Sequence, residues 1–81
     1  MENYEEIYNV LSKREREYAL AATKQKRELI ESSVRGYANN LPRSVYAELN
    51  EGYGSGLFEH GHFEYDMRHC LTILGQKIKG E

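Results

Sequence analysis

Two histidines and an aspartate near the C-terminus of this 81-residue chain have a spacing suited to metal chemistry. His62, Asp66 and His69 stand at positions i, i+4 and i+7, so a helix would place them in one strip beside its apolar face. Imidazole and carboxylate are common ligands of zinc and similar metals, and His60 or Glu59 offers a fourth ligand. The spacing matches no known metal-site signature. We favour the interpretation that Asp66 hydrogen-bonds a histidine at a protein interface, with a divalent metal as the alternative and no other cofactor expected.

A glycine-rich run offers a second kind of site, for phosphate. Backbone N–H groups of the run could cradle an anion, with an arginine as counter-charge. The candidate ligand-binding residues are Arg43, Tyr53, Gly54, Ser55, Gly56 and Arg68. The run lacks the lysine and Ser/Thr pair of a P-loop and the strand that precedes a dinucleotide site. We favour a flexible connector, and the alternative is a small, nucleotide-like phosphorylated ligand bound there.

The nucleophilic side chains have no catalytic setting in the sequence. Cys70 falls between Met67 and Leu74 on a predicted core face, where a cysteine packs as a small hydrophobic residue. Ser44 and Ser55 have no base and orienting acid at a recognisable spacing. We therefore predict no catalytic residue and expect that the protein is not an enzyme.

Helices must position all of these groups. Ser12 and Glu15 have the spacing of a capping box, which predicts a helix start, and Pro42 suits the first turn of another helix. The predicted fold is a single all-α domain over residues 1–81, a small helical hairpin or bundle. Its predicted elements are a short helix 3–11, a long charged helix 12–39, a short helix 42–50, a glycine-rich loop 51–60 and a C-terminal helix 61–79 packed antiparallel on the long one.

The long helix predicts self-association. A helix of about 26 residues would be about 40 Å long, longer than the globule that so short a chain would form. The core is also thin, since a chain of this size buries only about 60–65% of its unfolded surface. An apolar stripe along the helix provides the expected contact with a second copy, through Leu20, Ile30, Val34 and Tyr37.

Composition narrows the class of partner. The net charge of −2 comes from interleaved opposite charges, which disfavours a nucleic-acid binder relying on a broad basic field. No apolar run is long enough for a membrane, the N-terminus is acidic, and a lone Cys70 excludes an internal disulfide. These features predict a cytoplasmic protein without membrane contact.

Tyrosine is unusually frequent for so small a chain, with seven residues and no tryptophan. Tyrosine is common at interfaces, because its ring has one dry end and one wet end. We expect most of the aromatic group around the glycine run to close the core; its members are Tyr46, Tyr53, Phe58, Phe63 and Tyr65. The function predicted from the sequence is a homo-oligomeric adaptor that binds a partner protein through a tyrosine-rich surface.

Overall fold

The structure, a computed structural model, describes residues 3–50, 57–58 and 62–80. Four helices lie within these ranges. These helices are α1 (Tyr4–Leu20), α2 (Lys24–Asn39), α3 (Arg43–Leu49) and α4 (Phe63–Ile78). No strand occurs within these described ranges, and the predicted all-α bundle is confirmed. None of the helices has the length and apolar character needed to cross a membrane.

The boundary between the first two helices differs from the prediction. Residues 12–39 do not form one helix, because Ser12 lies inside α1 and the break falls between Leu20 and Lys24. Asn3 caps α1 by accepting a hydrogen bond from the backbone N–H of Glu6 at 2.9 Å. Thr23, in extended backbone, caps α2 by accepting from the N–H of Lys26 at 3.1 Å.

The Ser12 pattern fails for a physical reason. A capping side chain stabilises a helix start because the first N–H groups have no intrahelical acceptor. Within a helix that already began at Tyr4, the N–H groups after Ser12 bond to carbonyls one turn earlier. The expected 40 Å rod is thus replaced by two helices of 17 and 16 residues.

Helix α4 packs antiparallel on α1, which contains the beginning of the predicted long helix. The ring of Phe63, at the start of α4, lies 4.5 Å from that of Tyr18 near the end of α1. At the other end, Gly75 faces Tyr8, whose ring edge would lie 4.0 Å from a Cβ atom at that position. Helix α1 also contacts α2, and α3 contacts α4.

The core takes apolar side chains from every helix and from residues 57–58. Along α4 the side chains of Phe63, Met67, Cys70 and Leu74 are buried at the helical period, whereas Ile78 at its end is 42% exposed. The buried apolar residues are Ile7, Leu11, Val34, Ala38, Val45, Leu49, Leu57, Phe58, Phe63, Met67, Cys70 and Leu74. One charged residue, Asp66, is buried with them in the described part of the chain.

Candidate functional site

The predicted metal strip is not assembled as a ligand set. Asp66 is fully buried, whereas His62 is exposed at the N-cap of α4 and His69 is half-buried. Within residues 3–50, 57–58 and 62–80, no group of three His, Cys, Asp or Glu side chains could hold a metal ion. Glu59 and His60 lie outside the described residues. The helical spacing of His62, Asp66 and His69 is as predicted, but their ligand atoms do not converge on one metal position.

Asp66 instead helps to hold residues 57 and 58. Its Oδ2 accepts a hydrogen bond from the backbone N–H of Phe58 at 3.0 Å. The N–H of Leu57 donates to the hydroxyl oxygen of Tyr46 at 3.0 Å, and Arg35 Nε donates to the carbonyl of Phe58 at 3.4 Å. We call this pair, Leu57 and Phe58, the 57–58 anchor. Side chains from α2, α3 and α4 fix its backbone together.

Burial and hydrogen bonding hold the anchor in a conformation that phenylalanine disfavours. Phe58 has a φ of 63°, in the left-handed region, which costs a residue other than glycine roughly 1–3 kcal/mol. Its ring packs 5.5 Å from that of Phe63, and only 3% of Phe58 is exposed. The anchor therefore has a structural role. Its two backbone N–H groups and the carbonyl of Phe58 are hydrogen-bonded to side chains of the helices, and both of its residues are buried.

The sequence contained one signal for this role of Asp66. Positions 63, 66, 70 and 74 follow the helical period, and Asp66 thus shares a face with Phe63, Cys70 and Leu74. A carboxylate on a core face needs a hydrogen-bond donor. That donor, the N–H of Phe58, comes from outside any helix, so periodicity could not identify it.

Of the predicted phosphate site, the structure describes the two arginines. Tyr53, Gly54, Ser55 and Gly56 lie outside the described residues, so their role in ligand binding stays a prediction. Its two candidate arginines are both exposed, Arg43 at the start of α3 and Arg68 on α4. Their guanidinium groups are thus open to solvent on different helices.

Cys70 is buried in the core, as predicted. Its burial, followed by the nearby charge of Asp66, raises the pKa of its thiol to about 12. The nucleophilic form of cysteine is the thiolate, which such a pKa disfavours at neutral pH. Cys70 therefore acts as a packing side chain.

Most of the described tyrosines support the fold. Five of them pack partly buried against the core: Tyr4, Tyr8, Tyr18, Tyr37 and Tyr46. The hydroxyl of Tyr4 donates to Glu48 at 3.0 Å, and that of Tyr18 donates to Glu31 at 3.3 Å. Burial, and then the charge of Glu31, raises the pKa of Tyr18. Tyr65 is 67% exposed, and the tyrosine-rich partner surface stays a prediction.

The predicted self-association stripe is divided between the core and the surface. Val34 is buried, and Tyr37 and Ile30 pack partly buried against the core, because α2 folds against α1. Val34 is therefore unavailable to a second copy, which corrects its predicted role. Leu20, by contrast, is 78% exposed at the end of α1.

An apolar groove lies at the corner between α1 and α2. It has a volume of about 440 Å³, and we call it the corner groove; its lining is Glu17, Leu20, Ala21, Lys26, Leu29 and Ile30. Leu29, beside Ile30 on α2, is 65% exposed. Single exposed leucines are common on protein surfaces, but neighbouring ones around one concave surface are typical of an interaction site.

The two sites thus differ in what they can do. The 57–58 anchor is buried within the fold, and the leucines of the corner groove are exposed to solvent. Comparison with known proteins adds no further assignment: the chain matches no protein-family model, no curated protein and no solved structure.

Proposed function

We propose that this protein is a small, non-enzymatic association module that pairs with a second copy of itself through the corner groove. The observation that carries the proposal is the exposure of Leu20 and Leu29, at 78% and 65%, on the walls of one groove. Burying a leucine side chain stabilises a complex by roughly 1.5–3 kcal/mol. In a twofold interface both copies contribute these two leucines, so the dimer buries four leucine side chains.

Charge on the rim of the groove favours a second copy as the occupant. Glu17 and Lys26 both line the groove, on α1 and α2 respectively. A twofold axis through the groove would set each copy's Glu17 against the other copy's Lys26, so the surface is complementary to itself. Glu17 also pairs with Arg14 at 2.8 Å, but both side chains are about 40% exposed and a carboxylate can accept several donors.

The small core gives such pairing a physical benefit. Chains of this size are often stabilised by disulfides, a metal or oligomerisation. With Cys70 as the only cysteine, no internal disulfide can form. Pairing would bury Leu20 of α1 and Leu29 of α2, which are exposed to solvent in the single chain. The lone cysteine also supports our placing the protein in a reducing compartment such as the cytoplasm.

Sedimentation velocity on charge variants tests the proposal. Leu29→Glu and Leu20→Glu each place a carboxylate in the groove, and Ile78→Glu is the matched control because Ile78 is 42% exposed at the far end of α4. We expect the wild type and Ile78→Glu to form dimers with similar affinity. Each corner variant should weaken dimerisation by at least about tenfold, since a charge opposes burial.

Circular dichroism on the same samples separates lost pairing from lost folding. The corner variants should keep the helical spectrum of the wild type, because both leucines lie on the surface. A wild-type chain that stays monomeric at all concentrations would overturn the proposal. Equal weakening by Ile78→Glu would overturn it as well.

A further inference from the structure

A second groove, lined by α1, α2 and α4, has the features of an anion site. Its volume is about 750 Å³, and its lining is Ser12, Glu15, Arg16, Tyr18, Ala19, Arg27, Glu64 and Arg68. Pockets for small organic ligands usually have a volume between about 300 and 1,000 Å³. This arginine groove, as we call it, is therefore large enough for a ligand the size of a nucleotide.

We propose that the arginine groove binds a small organic phosphomonoester through Arg16, Arg27 and Arg68. Each arginine comes from a different helix, and the three lie far apart in sequence. All three are exposed, so their guanidinium groups can turn toward a ligand. The salt bridges of the described residues use other cations, namely Arg14, Lys24 and Lys77.

The number and geometry of the arginines favour a phosphoryl group over a carboxylate. A guanidinium donates two parallel hydrogen bonds to an oxyanion. One such fork satisfies a carboxylate, whereas a phosphate presents three terminal oxygens to donors arriving from several sides. Helices α1, α2 and α4 each contribute one fork to the groove, which matches the phosphate.

Two acids in the same groove limit the size of the anion. Glu15 and Glu64 oppose the three arginines, which leaves one net positive charge on the groove lining. A single phosphomonoester can be bound by the guanidinium groups while its organic part covers Tyr18 and Ala19. A long polyanion such as a nucleic acid would meet repulsion from both carboxylates. The groove therefore favours a small ligand with one phosphate.

The proposal does not rest on dimerisation. Among the described residues, the groove shares only Arg68 with the ligand residues predicted from the sequence. No short sequence motif contains Arg16, Arg27 and Arg68, because other residues separate them along the chain. The turn after Leu20 and the packing of α4 on α1 create the groove.

Titration with adenosine monophosphate, followed by amide chemical shifts at low salt, tests the inference. Adenosine, which lacks the phosphate, is the ligand control. We expect adenosine monophosphate to shift amide signals around the groove with a dissociation constant no weaker than about 1 mM, while adenosine shifts few. Arg27→Gln and Arg68→Gln should each weaken binding by about tenfold, since each removes a charge-assisted contact.

Lys79→Gln is the matched protein control, because Lys79 is an exposed cation at the C-cap of α4, outside the groove and outside the predicted glycine-loop site. It should leave the affinity for adenosine monophosphate unchanged. Equal binding of adenosine, or equal weakening by Lys79→Gln, would overturn the inference. So would the absence of any shift with about 10 mM adenosine monophosphate, ten times the weakest dissociation constant expected.

Discussion

The 57–58 anchor and the corner groove both contain leucine beside a break between helices, but the leucine side chain is buried in the anchor and exposed in the groove. At the anchor, Leu57 is 1% exposed and its N–H is hydrogen-bonded to Tyr46. At the corner, Leu20 and Leu29 are 78% and 65% exposed. The first region uses its apolar side chains to complete the fold, and the second leaves them available for association.

Under the proposed association, this contrast separates residues that stabilise the single chain from residues that would bind a second copy. A substitution at the anchor or in the core should lower the free energy of unfolding of the single chain. A substitution of the exposed leucines that line the corner groove should change association and leave that free energy nearly unaltered. Four predictions test the distinction, in order of decreasing effect.

The largest effect is expected from a matched pair of leucine truncations. Leu49→Ala removes a side chain that is 1% exposed and should lower the free energy of unfolding by about 2–5 kcal/mol, because it leaves a cavity. Leu29→Ala removes one that is 65% exposed and should change it by less than about 0.5 kcal/mol in dilute, monomeric protein. Urea unfolding measures both. Similar losses for the two variants would break the contrast.

The next effect concerns the carboxylate under the anchor. Asp66→Ala leaves the buried N–H of Phe58 without its acceptor and should lower the free energy of unfolding by about 1–3 kcal/mol. Asp66→Asn keeps an acceptor oxygen of the same shape and is the matched control, so its loss should be smaller. Thermal unfolding compares the two variants. If they were equally stable, the hydrogen bond to Phe58 would not be what stabilises the anchor.

A third effect appears at alkaline pH. The pKa of Cys70 is raised from its ordinary 9.0 to about 12, so its contribution to stability is present below pH 9 and lost as pH rises toward 12. Between about pH 8 and about pH 10, one such group lowers the free energy of unfolding by about 1.4 kcal/mol. Urea unfolding at both pH values should show that additional drop in the wild type.

Cys70→Ala provides the control for this pH dependence. The variant lacks the thiol but keeps the tyrosines Tyr18 and Tyr37, whose pKa values are also raised by burial. Its loss of stability over the same pH range should therefore be smaller by the cysteine contribution. An identical loss in both proteins would mean that Cys70 is not protected by the core.

The smallest effect is expected at the helix cap of the corner. Thr23→Ala removes the side-chain acceptor for the N–H of Lys26 and should lower the free energy of unfolding by about 1 kcal/mol. Thr72→Ala is the control, because Thr72 is exposed within α4 and bonds only to the carbonyl of Arg68 at 2.9 Å. That variant should be nearly neutral. Thermal unfolding that ranks the two in the opposite order would contradict the assigned cap.

The sequence predicts the helical architecture well where one helix contains its own signal. Phe63, Met67, Cys70 and Leu74 repeat at the helical period, and all four are buried. Pro42 likewise marks the start of α3, which runs from Arg43 to Leu49. Residues within a few helical turns of one another determine these features, so the local sequence pattern is enough to predict them.

Features that depend on distant residues could not be predicted. Helix-favouring alanines precede Thr23, and Ser12 with Glu15 has the spacing of a capping box, so the sequence pattern predicts the break at Ser12, which is wrong. That error placed Val34 on a partner surface, although it is buried. The acceptor role of Asp66 also depends on Phe58, whose position is set by packing.

Methyl NMR over a range of protein concentrations tests the central claim most directly. Leucine methyl signals report each region separately within one intact, unmodified sequence. We predict that the signals of Leu20 and Leu29 shift as the concentration rises, whereas those of the buried Leu49 and Leu74 stay constant. Constant signals at Leu20 and Leu29, or concentration-dependent shifts confined to other residues, would contradict the assignment of the corner groove as the association surface.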